Sequence, residues 1–418
     1  MTETRAETVP ISLLGEVTLG KMVQPNRKNE TDELRPYLRA AHLPAPGTLS
    51  LDVSEQQMYF SPAELDRLNL QEGDVVIVEG GAGYGRSAYI DNDLDGWGFQ
   101  NSIVRVRPYP GVSVGRYVYY ALQHAQADRQ IELEVSTATL PHFTAEKVGR
   151  FRLPLPPLET QRAIADYLDR ETAEVDAMSA DLDEMEALLT ERRRSVVSSL
   201  IANDKWETVS LRSLAAEHGG MFSDGDWVEL KNQDPDGKVR LLQLADIGDG
   251  NFRDKSDKWV NDDTFALLDC TALSQGDVLI ARMPDPIARA ALVPKFDYRA
   301  ITVVDVAILR VPPSDDPSFV MHAINSAAFR SNVESKLVGS TRQRISRSAL
   351  GRETIPRPDL GTQRRIASEI DRETAEIDAM LADITELRDL LAERRAAVIA
   401  AAVTGQIDVP TTQETNNG

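Results

Sequence analysis

The chain has 418 residues, a formal net charge of −20 and ordinary shares of hydrophobic (42%) and charged (27%) residues, so we expect two to three folded domains. No apolar run reaches the about 18 residues of a membrane span, and the N-terminus lacks the basic stretch and apolar core of a secretory signal. The single Cys270 excludes a disulfide framework, so we expect a protein of the reducing cytoplasm. The acidic charge argues against nucleic-acid binding, unless a local basic face or a partner supplies the phosphate contacts.

The first 151 residues have the pattern of a mixed, β-rich domain. Short alternating or apolar runs between polar loops predict strands at 58–60, 74–79, 87–90 and 102–106. Ser61 followed by Pro62 is typical of a helix start and predicts a short helix over 61–70. Apolar residues at helical spacing predict another helix over 115–125. The glycine-rich run 81–85 is followed by the β-like RSAYI, so we interpret it as a turn and not as a dinucleotide loop.

A long helix is predicted from Leu158 to about residue 203. Its apolar residues alternate at spacings of three and four, which is typical of a coiled-coil seam, and Arg192 occupies the one missing position. The predicted seam residues are Val175, Met178, Leu182, Met185, Leu189 and Val196. A simpler interpretation is that this stripe packs only on its own domain, since an amphipathic face requires no particular partner.

The same helix occurs a second time, because Leu360 lies 202 positions after Leu158 and the runs TQR, DRETAE, DAM and ERR recur in register. Arg394 occupies the gap in this second seam. The second set of predicted seam residues is Ile377, Met380, Ile384, Leu387, Leu391 and Val398. Two matching stripes favour pairing between the two helices. The two arginines either fix the register or mark where pairing ends.

Residues 204–357 repeat the first domain more loosely. The segment LQEGDVVIVEGG (70–81) corresponds to LSQGDVLIARMP (273–284), and RPYLRAAHL (35–43) corresponds to VRLLQLADI (239–247). GRSAYI (85–90) likewise corresponds to ARAALV (288–293). We therefore predict a first domain (1–151), a first helical segment (152–203), a second domain (204–357), a second helical segment (358–404) and a disordered tail (405–418).

The sequence contains no recognisable motif of an enzyme. The sequence has no GxxxxGK[ST] phosphate loop and no N-P-P-[YF] methyltransferase motif, and its five histidines have no metal-ligand spacing. Pro284-Asp285 could begin a nuclease motif, but no acid-x-Lys follows at a useful distance. We therefore expect no catalytic residue, no metal site and no cofactor in this chain.

Polar and basic residues of the two domains are candidates for reading DNA, because Arg, Gln and Asn pair bidentately with guanine and adenine edges in the major groove. In the first domain they are Arg39, Tyr84, Arg86, Gln100 and Asn101. In the second they are Gln243, Arg282, Arg289, Arg342, Gln343, Arg344 and Arg347. The densest group lies in STRQRISRS (340–348). For any single residue, a solvated surface position with ordinary ion pairs remains the alternative.

The helical segments resemble a known family. PLPPLETQRAIADYLDRETAEVDAM, followed by LLTERRRSVVSSLI, is similar to the characteristic helical region of the specificity (S) subunit of type I restriction–modification enzymes. The second copy, IPRPDLGTQRRIASEIDRETAEIDAM followed by LLAERRAAVIAAAVTGQID, is similar to it as well. The resemblance covers essentially the whole chain and is most specific in the two helices.

The resemblance implies an α+β fold with an internal pseudo-two-fold repeat, in which two long helices pair as an antiparallel coiled coil and separate two target-recognition domains. Each domain would read one half of a bipartite, asymmetric sequence in double-stranded DNA. Two modification (M) subunits would bring S-adenosylmethionine and methylate adenine, and restriction (R) subunits, with ATP and Mg, would translocate and cut DNA. The S subunit of this family has no catalytic residues.

Two other functions stay open at this point. The helices could be an adaptor whose globular domains bind protein or sugar, and a self-sufficient enzyme could use residues that are remote in sequence. The clustered arginines of 340–348 and the proline–helix segments favour the DNA-recognition hypothesis over the scaffold. The missing motifs make the enzyme the weakest of the three.

Overall fold

The structure is a computed structural model that describes residues 7–53, 56–135, 141–284, 286–337 and 343–409. It divides into two compact units. Unit 1 comprises Met1–Leu182 and Glu386–Gly418, and unit 2 comprises Asp183–Thr385. Each unit thus contains one globular domain and one part of each long helix. Within the described ranges, no helix combines the length and the apolar character needed to cross a membrane.

Unit 1 builds its sheets from short strands, most of them antiparallel. The strands are β1 (Thr8–Pro10), β2 (Gly15–Leu19), β3 (Glu33–Leu38), β4 (Gln57–Phe60), β5 (Val75–Val78), β6 (Ser87–Tyr89), β7 (Gly98–Phe99), β8 (Ile103–Pro108) and β9 (Arg152–Pro154). The helices are α1 (Ile11–Leu14), α2 (Pro62–Arg67), α3 (Gly115–Ala127), α4 (Gln130–Val135), α5 (Ala145–Arg150) and the long α6 (Leu158–Ile201). The predicted strands and both predicted short helices of this domain are present.

The sheets of unit 1 have the orders β2-β8-β5-β6, β4-β3-β7 and β1-β9. Strand β5 is buried on both faces, because successive side chains of a strand point to opposite sides. Val75 and Ile77 pack in the core that contains α3 and α6, whereas Val76 and Val78 pack in a second core with β3 and β4. This explains why the run VVIV is apolar without alternation.

Unit 2 repeats this arrangement. Its strands are β10 (Thr208–Ser210), β11 (Met221–Asp224), β12 (Val239–Leu242), β13 (Trp259–Val260), β14 (Val278–Ala281), β15 (Ala290–Leu292), β16 (Arg299–Thr302), β17 (Val306–Arg310) and β18 (Thr354–Pro356). Its helices are α7 (Leu211–Ala215), α8 (Asp262–Leu267), α9 (Pro317–Asn325), α10 (Ala327–Glu334), α11 (Arg347–Leu350) and the long α12 (Leu360–Val403). The sheet orders β11-β17-β14-β15, β13-β12-β16 and β10-β18 match those of unit 1.

The two long helices each have 44 residues, or roughly 66 Å at 1.5 Å per residue. In unit 1, Leu168 of α6 shares a core with Ile399 of α12, and further along α6 Asp176 pairs with Arg395. In unit 2, Val197 and Ile201 of α6 share a core with Ile370 of α12. The order of these contacts is antiparallel, which confirms the predicted fold class.

The seam between the helices differs from the predicted one at alternate positions. Val175, Ile377 and Ile384 are buried, and five more are half-buried, namely Leu182, Leu189, Val196, Leu391 and Val398. The other four predicted seam residues are between 41% and 51% exposed; these are Met178, Met185, Met380 and Leu387.

The reason is that one continuous face of α6 is buried along its length. That face begins with Gln161, Leu168 and Thr172, which are buried against the globular domain, and it reaches Val175 in the same phase. Continuing at this phase, the half-buried position after Val175 is Ser179 and not Met178. Three of these residues, Gln161, Thr172 and Ser179, are polar, so an apolar pattern could not reveal the phase.

Part of the predicted tail is ordered against the core. Ile407 and Val409 pack on the core of unit 1 that contains α3. Residues 410–418 lie outside the described residues.

Candidate nucleic-acid interface

The glutamine of the repeated TQR run joins each globular domain to its long helix. Gln161 Oε1 accepts the backbone N–H of Val114 (3.0 Å), and its Nε2 donates to the carbonyls of Val112 (3.2 Å) and Pro156 (2.9 Å). Gln363 has the same role, since it accepts from the Asp316 N–H at 2.8 Å and donates to the Pro358 carbonyl at 2.9 Å. Both helices therefore start at a fixed point on a globular domain.

The aspartate of DRETAE makes the next contact along each helix. Asp169 accepts from the Tyr120 hydroxyl at 2.7 Å, and Asp371 lies 2.7 Å from Nε2 of His322, which is the equivalent position in α9. The hydrogen bond from His322 lowers the pKa of Asp371. The repeated helical motifs thus orient the two globular domains on their helices by side-chain hydrogen bonds.

Each globular domain presents one short 3₁₀ turn after the central strand of its three-stranded sheet. The residue before the turn is Arg39 in unit 1 and Gln243 in unit 2. The Arg39 N–H donates to Nδ1 of His42 (3.1 Å), and the Gln243 N–H donates to the carboxylate of Asp246 (2.6 Å). These local hydrogen bonds close each turn and fix the backbone of the residue that precedes it.

In each unit, one of the predicted DNA-reading arginines donates hydrogen bonds to the segment that contains the 3₁₀ turn. Arg86 donates from Nη1 to the carbonyl of Pro44 at 2.8 Å. Arg289 is buried and donates from Nη2 to the Leu244 carbonyl (2.9 Å) and from Nε to the Ile247 carbonyl (2.8 Å). Because the described bonds of both arginines run to backbone carbonyls, most of them in the turn segment, neither arginine belongs to the proposed base-reading set.

An open cleft of about 460 Å³, here named the first cleft, lies beside the turn of unit 1. Its lining residues are Val23, Tyr37, Arg39, Ala40, Ala41, Gln56, Gln100 and Ser102. It therefore brings together the predicted Arg39 and Gln100, and Asn101 adjoins it because it lies between the lining residues Gln100 and Ser102. Tyr84 is elsewhere, half-buried against the core that contains α3.

Unit 2 has an equivalent opening of about 400 Å³, here named the second cleft. Its lining residues are Asp226, Trp227, Val228, Gln243, Leu244, Ala245, Val303, Val304 and Asp305. The equivalence follows from the backbone, since a parallel bridge joins Lys21 to Gln100 in unit 1 and Asp226 to Val303 in unit 2. Gln243 is the only one of its lining residues that the sequence pattern singled out.

The basic cluster predicted from STRQRISRS borders the second cleft. Arg344 is 3.3 Å from the carboxylate of Asp305, and Arg347 is 3.5 Å from Asp224. The buried Arg282 also pairs with Asp224 (3.2 Å) and donates to the Val304 carbonyl, and burial lowers the pKa of its guanidinium. Gln343 is exposed in the same segment. Arg342 lies outside the described residues.

Among the lining residues of the second cleft that escaped the sequence analysis, three have acidic or aromatic side chains: Asp226, Trp227 and Asp305. Trp227 is 69% exposed, which is unusual for so large an apolar side chain. Aligning the two repeats strand by strand would have found Asp305, because it follows β16 as Ser102 follows β7.

Comparisons with known proteins agree on one family. Residues 7–187 match the model of the type I restriction modification DNA specificity domain. The MjaVIII specificity subunit of Methanocaldococcus jannaschii is 20% identical over 311 residues, which span 70% of this chain and 70% of that subunit. The EcoBI specificity subunit of Escherichia coli is 20% identical over 319 residues, which span 70% of this chain and 65% of the relative. The StySPI specificity subunit of Salmonella potsdam is 30% identical over 91 residues, which span 22% of this chain and 20% of that subunit.

Two solved structures share the fold. A chain from a study of complex assembly and conformational transition of the type I R-M system has a TM-score of 0.72 at 17% identity, with 97% of this chain and 99% of that chain covered. The HsdS subunit from Thermoanaerobacter tengcongensis has a TM-score of 0.50 at 16% identity, with 97% and 98% covered. At these identities the likeness establishes the fold alone.

Proposed function

We propose that this chain is a specificity subunit of a type I restriction–modification system, without catalytic activity of its own, and that it reads a bipartite, asymmetric sequence in double-stranded DNA. Each unit would read one half-site. The observation that supports this proposal most is the pair of clefts, which lie at equivalent places in two units of the same strand order. Because the clefts differ in their lining residues, the two half-sites differ in sequence.

The base-reading set that we propose contains the predicted residues at or beside a cleft. They are Arg39, Gln100 and Asn101 in unit 1, and Gln243, Gln343, Arg344 and Arg347 in unit 2. Arginine at the border of a cleft can contact a phosphate or a guanine edge, whereas glutamine suits adenine.

The net charge of −20 implies that most phosphate contacts come from a partner. We propose that two M subunits, which hold S-adenosylmethionine and methylate adenine, surround the DNA together with this chain. R subunits, which use ATP and Mg, would join the same complex. In a gel-shift assay we expect weak DNA binding by the isolated chain and a large gain when M subunits are added. Tight, specific binding by the chain alone would contradict this division of labour.

Large apolar side chains remain exposed at equivalent positions of the two long helices. The three pairs, each 202 positions apart, are Met178 and Met380, Met185 and Leu387, and Leu188 and Leu390. Exposed apolar residues that recur in register are typical of a surface that a partner covers. We propose that the M subunits dock on these residues.

The decisive experiment is to express the chain with its M subunits and to map methylated adenines by long-read sequencing. We expect one bipartite, asymmetric motif with unread bases between its halves. The control is expression of the M subunits alone, which should give no motif. A continuous motif contradicts the two-half-site proposal, and the absence of any methylated motif favours a scaffold.

A domain exchange then assigns each half-site to a unit. Residues 204–357 are replaced by those of a relative that has a different target. Only one half of the motif should change, because each cleft belongs to a single unit. A change in both halves would contradict the proposal of one half-site per unit.

A further inference from the structure

The two clefts share their backbone but differ in charge. At the residue that precedes the turn, unit 1 has Arg39 and unit 2 has Gln243. In the parallel bridge beside the cleft, Asp226 of unit 2 takes the position that Lys21 has in unit 1. Both changes remove a cationic donor, and the second introduces a carboxylate.

A third position changes in the same direction. In unit 1 the carbonyl of Ser102 accepts the backbone N–H of Glu79 (2.9 Å), and in unit 2 the carbonyl of Asp305 accepts the N–H of Arg282 (2.9 Å). The first cleft therefore has a hydroxyl where the second cleft has a carboxylate. All three differences make the second cleft more acidic than the first.

The second cleft has hydrogen-bond acceptors at an accessible surface. Its two lining carboxylates are Asp226 and Asp305, and the side chain of Asp305 is 31% exposed. Arg344 approaches one oxygen of Asp305 at 3.3 Å, and a carboxylate can accept further hydrogen bonds beyond that one. The exposed ring of Trp227 in the same lining leaves a broad apolar surface that a bound ligand would cover.

We propose, on the basis of the proposed function, that the second cleft selects a base with an exocyclic amino group in the major groove. That base is cytosine or adenine, and Asp305 is the residue that reads it. Carboxylates accept from the amino group of cytosine, whereas guanine and thymine present acceptor oxygens that a carboxylate repels. The first cleft, with Arg39 in its lining, selects by contrast a base that presents acceptors, namely guanine.

The test uses the complete complex with M subunits and a duplex that carries the mapped target. At each cytosine or adenine of the half-site that domain exchange assigns to unit 2, the base is replaced by 2-pyrimidinone or purine. These bases lack the amino group that Asp305 is proposed to read. We expect one position at which the replacement weakens binding by roughly 5- to 150-fold, measured by fluorescence anisotropy.

The variant Asp305→Ser, which installs the residue type of the first cleft, should bind both duplexes equally at that position. For each protein we take the ratio of its affinities for the unmodified and the modified duplex. Comparing this ratio between wild type and variant cancels the effect of the modified base on the duplex itself. Asp305→Asn keeps the shape of the side chain and should show a partial loss of the ratio, so it replaces the serine variant if that variant does not fold. Asp236→Asn, an exposed carboxylate outside the cleft lining, is the matched control and should leave the ratio unchanged.

The outcomes separate this inference from the function on which it rests. If the wild-type complex gives no bipartite motif, the proposed function itself fails. If a bipartite motif exists but no replacement on either strand of the unit 2 half-site weakens binding by the wild type, the charge-based selection is wrong. The same holds if Asp305→Ser retains the full discrimination of the wild type.

Discussion

Arg193 of α6 donates from Nε to Oδ1 of Asp378 in α12 at 2.8 Å, and its Nη2 lies 3.3 Å from Oδ2. The equivalent residues of the other repeat, Arg395 and Asp176, form the same ion pair in unit 1. The aspartates belong to the DAM run and the arginines to the ERR run, so these repeated motifs meet each other across antiparallel helices. This relationship fixes the register of the helix pair.

The sequence pattern leaves open whether the neighbouring arginines, Arg192 and Arg394, fix the register or mark where pairing ends. Arg192 is exposed, and Arg394 lies 3.6 Å from Glu171 with about half of its side chain exposed. A one-residue shift moves a side chain by about 100° around a helix. The arginine at the missing position of the apolar pattern is therefore not the arginine that lies at the helix interface.

Removing the inner arginine should weaken the helix pair. Arg193→Ala is expected to lower the free energy of unfolding of the chain by about 1–2 kcal/mol, because only 14% of the Arg193 side chain is exposed and its bond is charge-assisted. Urea unfolding followed by circular dichroism measures this. Arg192→Ala is the matched control and should stay within about 0.5 kcal/mol of wild type. A double-mutant cycle with Asp378→Ala that gives no coupling energy would contradict the assignment.

The buried glutamine of the TQR run should be indispensable for stability. Gln161→Leu removes one acceptor and two donated hydrogen bonds, and it leaves the Val114 N–H and the Val112 and Pro156 carbonyls without this partner. We expect a loss of about 2–4 kcal/mol in the free energy of unfolding. The adjacent Arg162→Ala, in an exposed ion pair with Glu159, should cost less than about 1 kcal/mol. Equal costs for the two variants would show that the glutamine is not an anchor.

The sequence predicted the fold to a large extent because apolar periodicity is a local signal. The strand VVIV and both long helices are recognisable from their own residues, and the second copy of each motif doubles the evidence. The phase of the helix seam was not recognisable, because buried polar residues such as Gln161 and Thr172 set it. The lining of the second cleft was equally hidden, since Asp226 and Asp305 come from loops that only the folded sheets bring together.

Asp226 should make the stability of unit 2 depend on pH. Burial raises its pKa from 3.8 to about 6, against the opposing effect of hydrogen bonds from the Thr271 N–H and the Cys270 thiol. Between about pH 4 and pH 6 the folded chain thus keeps a proton that the unfolded chain has lost, so this group's contribution to stability falls as the pH rises through that window.

Asp226→Asn removes this ionisation while keeping the shape and an acceptor oxygen. At about pH 8 we expect the variant to be more stable than wild type by about 1–2 kcal/mol, which is less than the full shift implies because Asp226 is partly exposed to solvent. At about pH 4.5 the gain should largely disappear. Urea unfolding at both pH values is the measurement, with the exposed Asp236→Asn as control. A gain that is equal at both pH values would mean that ionisation of Asp226 is not its cause.

Docking of the M subunits should depend on the exposed apolar residues of the long helices. Met178, Met185 and Leu188 lie within about a quarter of the circumference of α6, at 100° per residue. Leu188→Glu places a charge on this surface, and since Leu188 is 63% exposed, the chain alone should keep its stability to within about 0.5 kcal/mol. Binding to M subunits should weaken by roughly 10- to 100-fold, because a charge in the apolar centre of an interface is poorly solvated.

The matched control for this substitution is Ala187→Glu. It adds the same charge one residue earlier, at an exposed position that points away from Met178. Isothermal titration of M subunits into each purified variant compares the two affinities directly. Equal affinities for the two variants would show that the M subunits do not dock on these side chains. A selective loss with Leu188→Glu, and again with Leu390→Glu in the second helix, would mean that the repeat provides two equivalent docking sites for two M subunits.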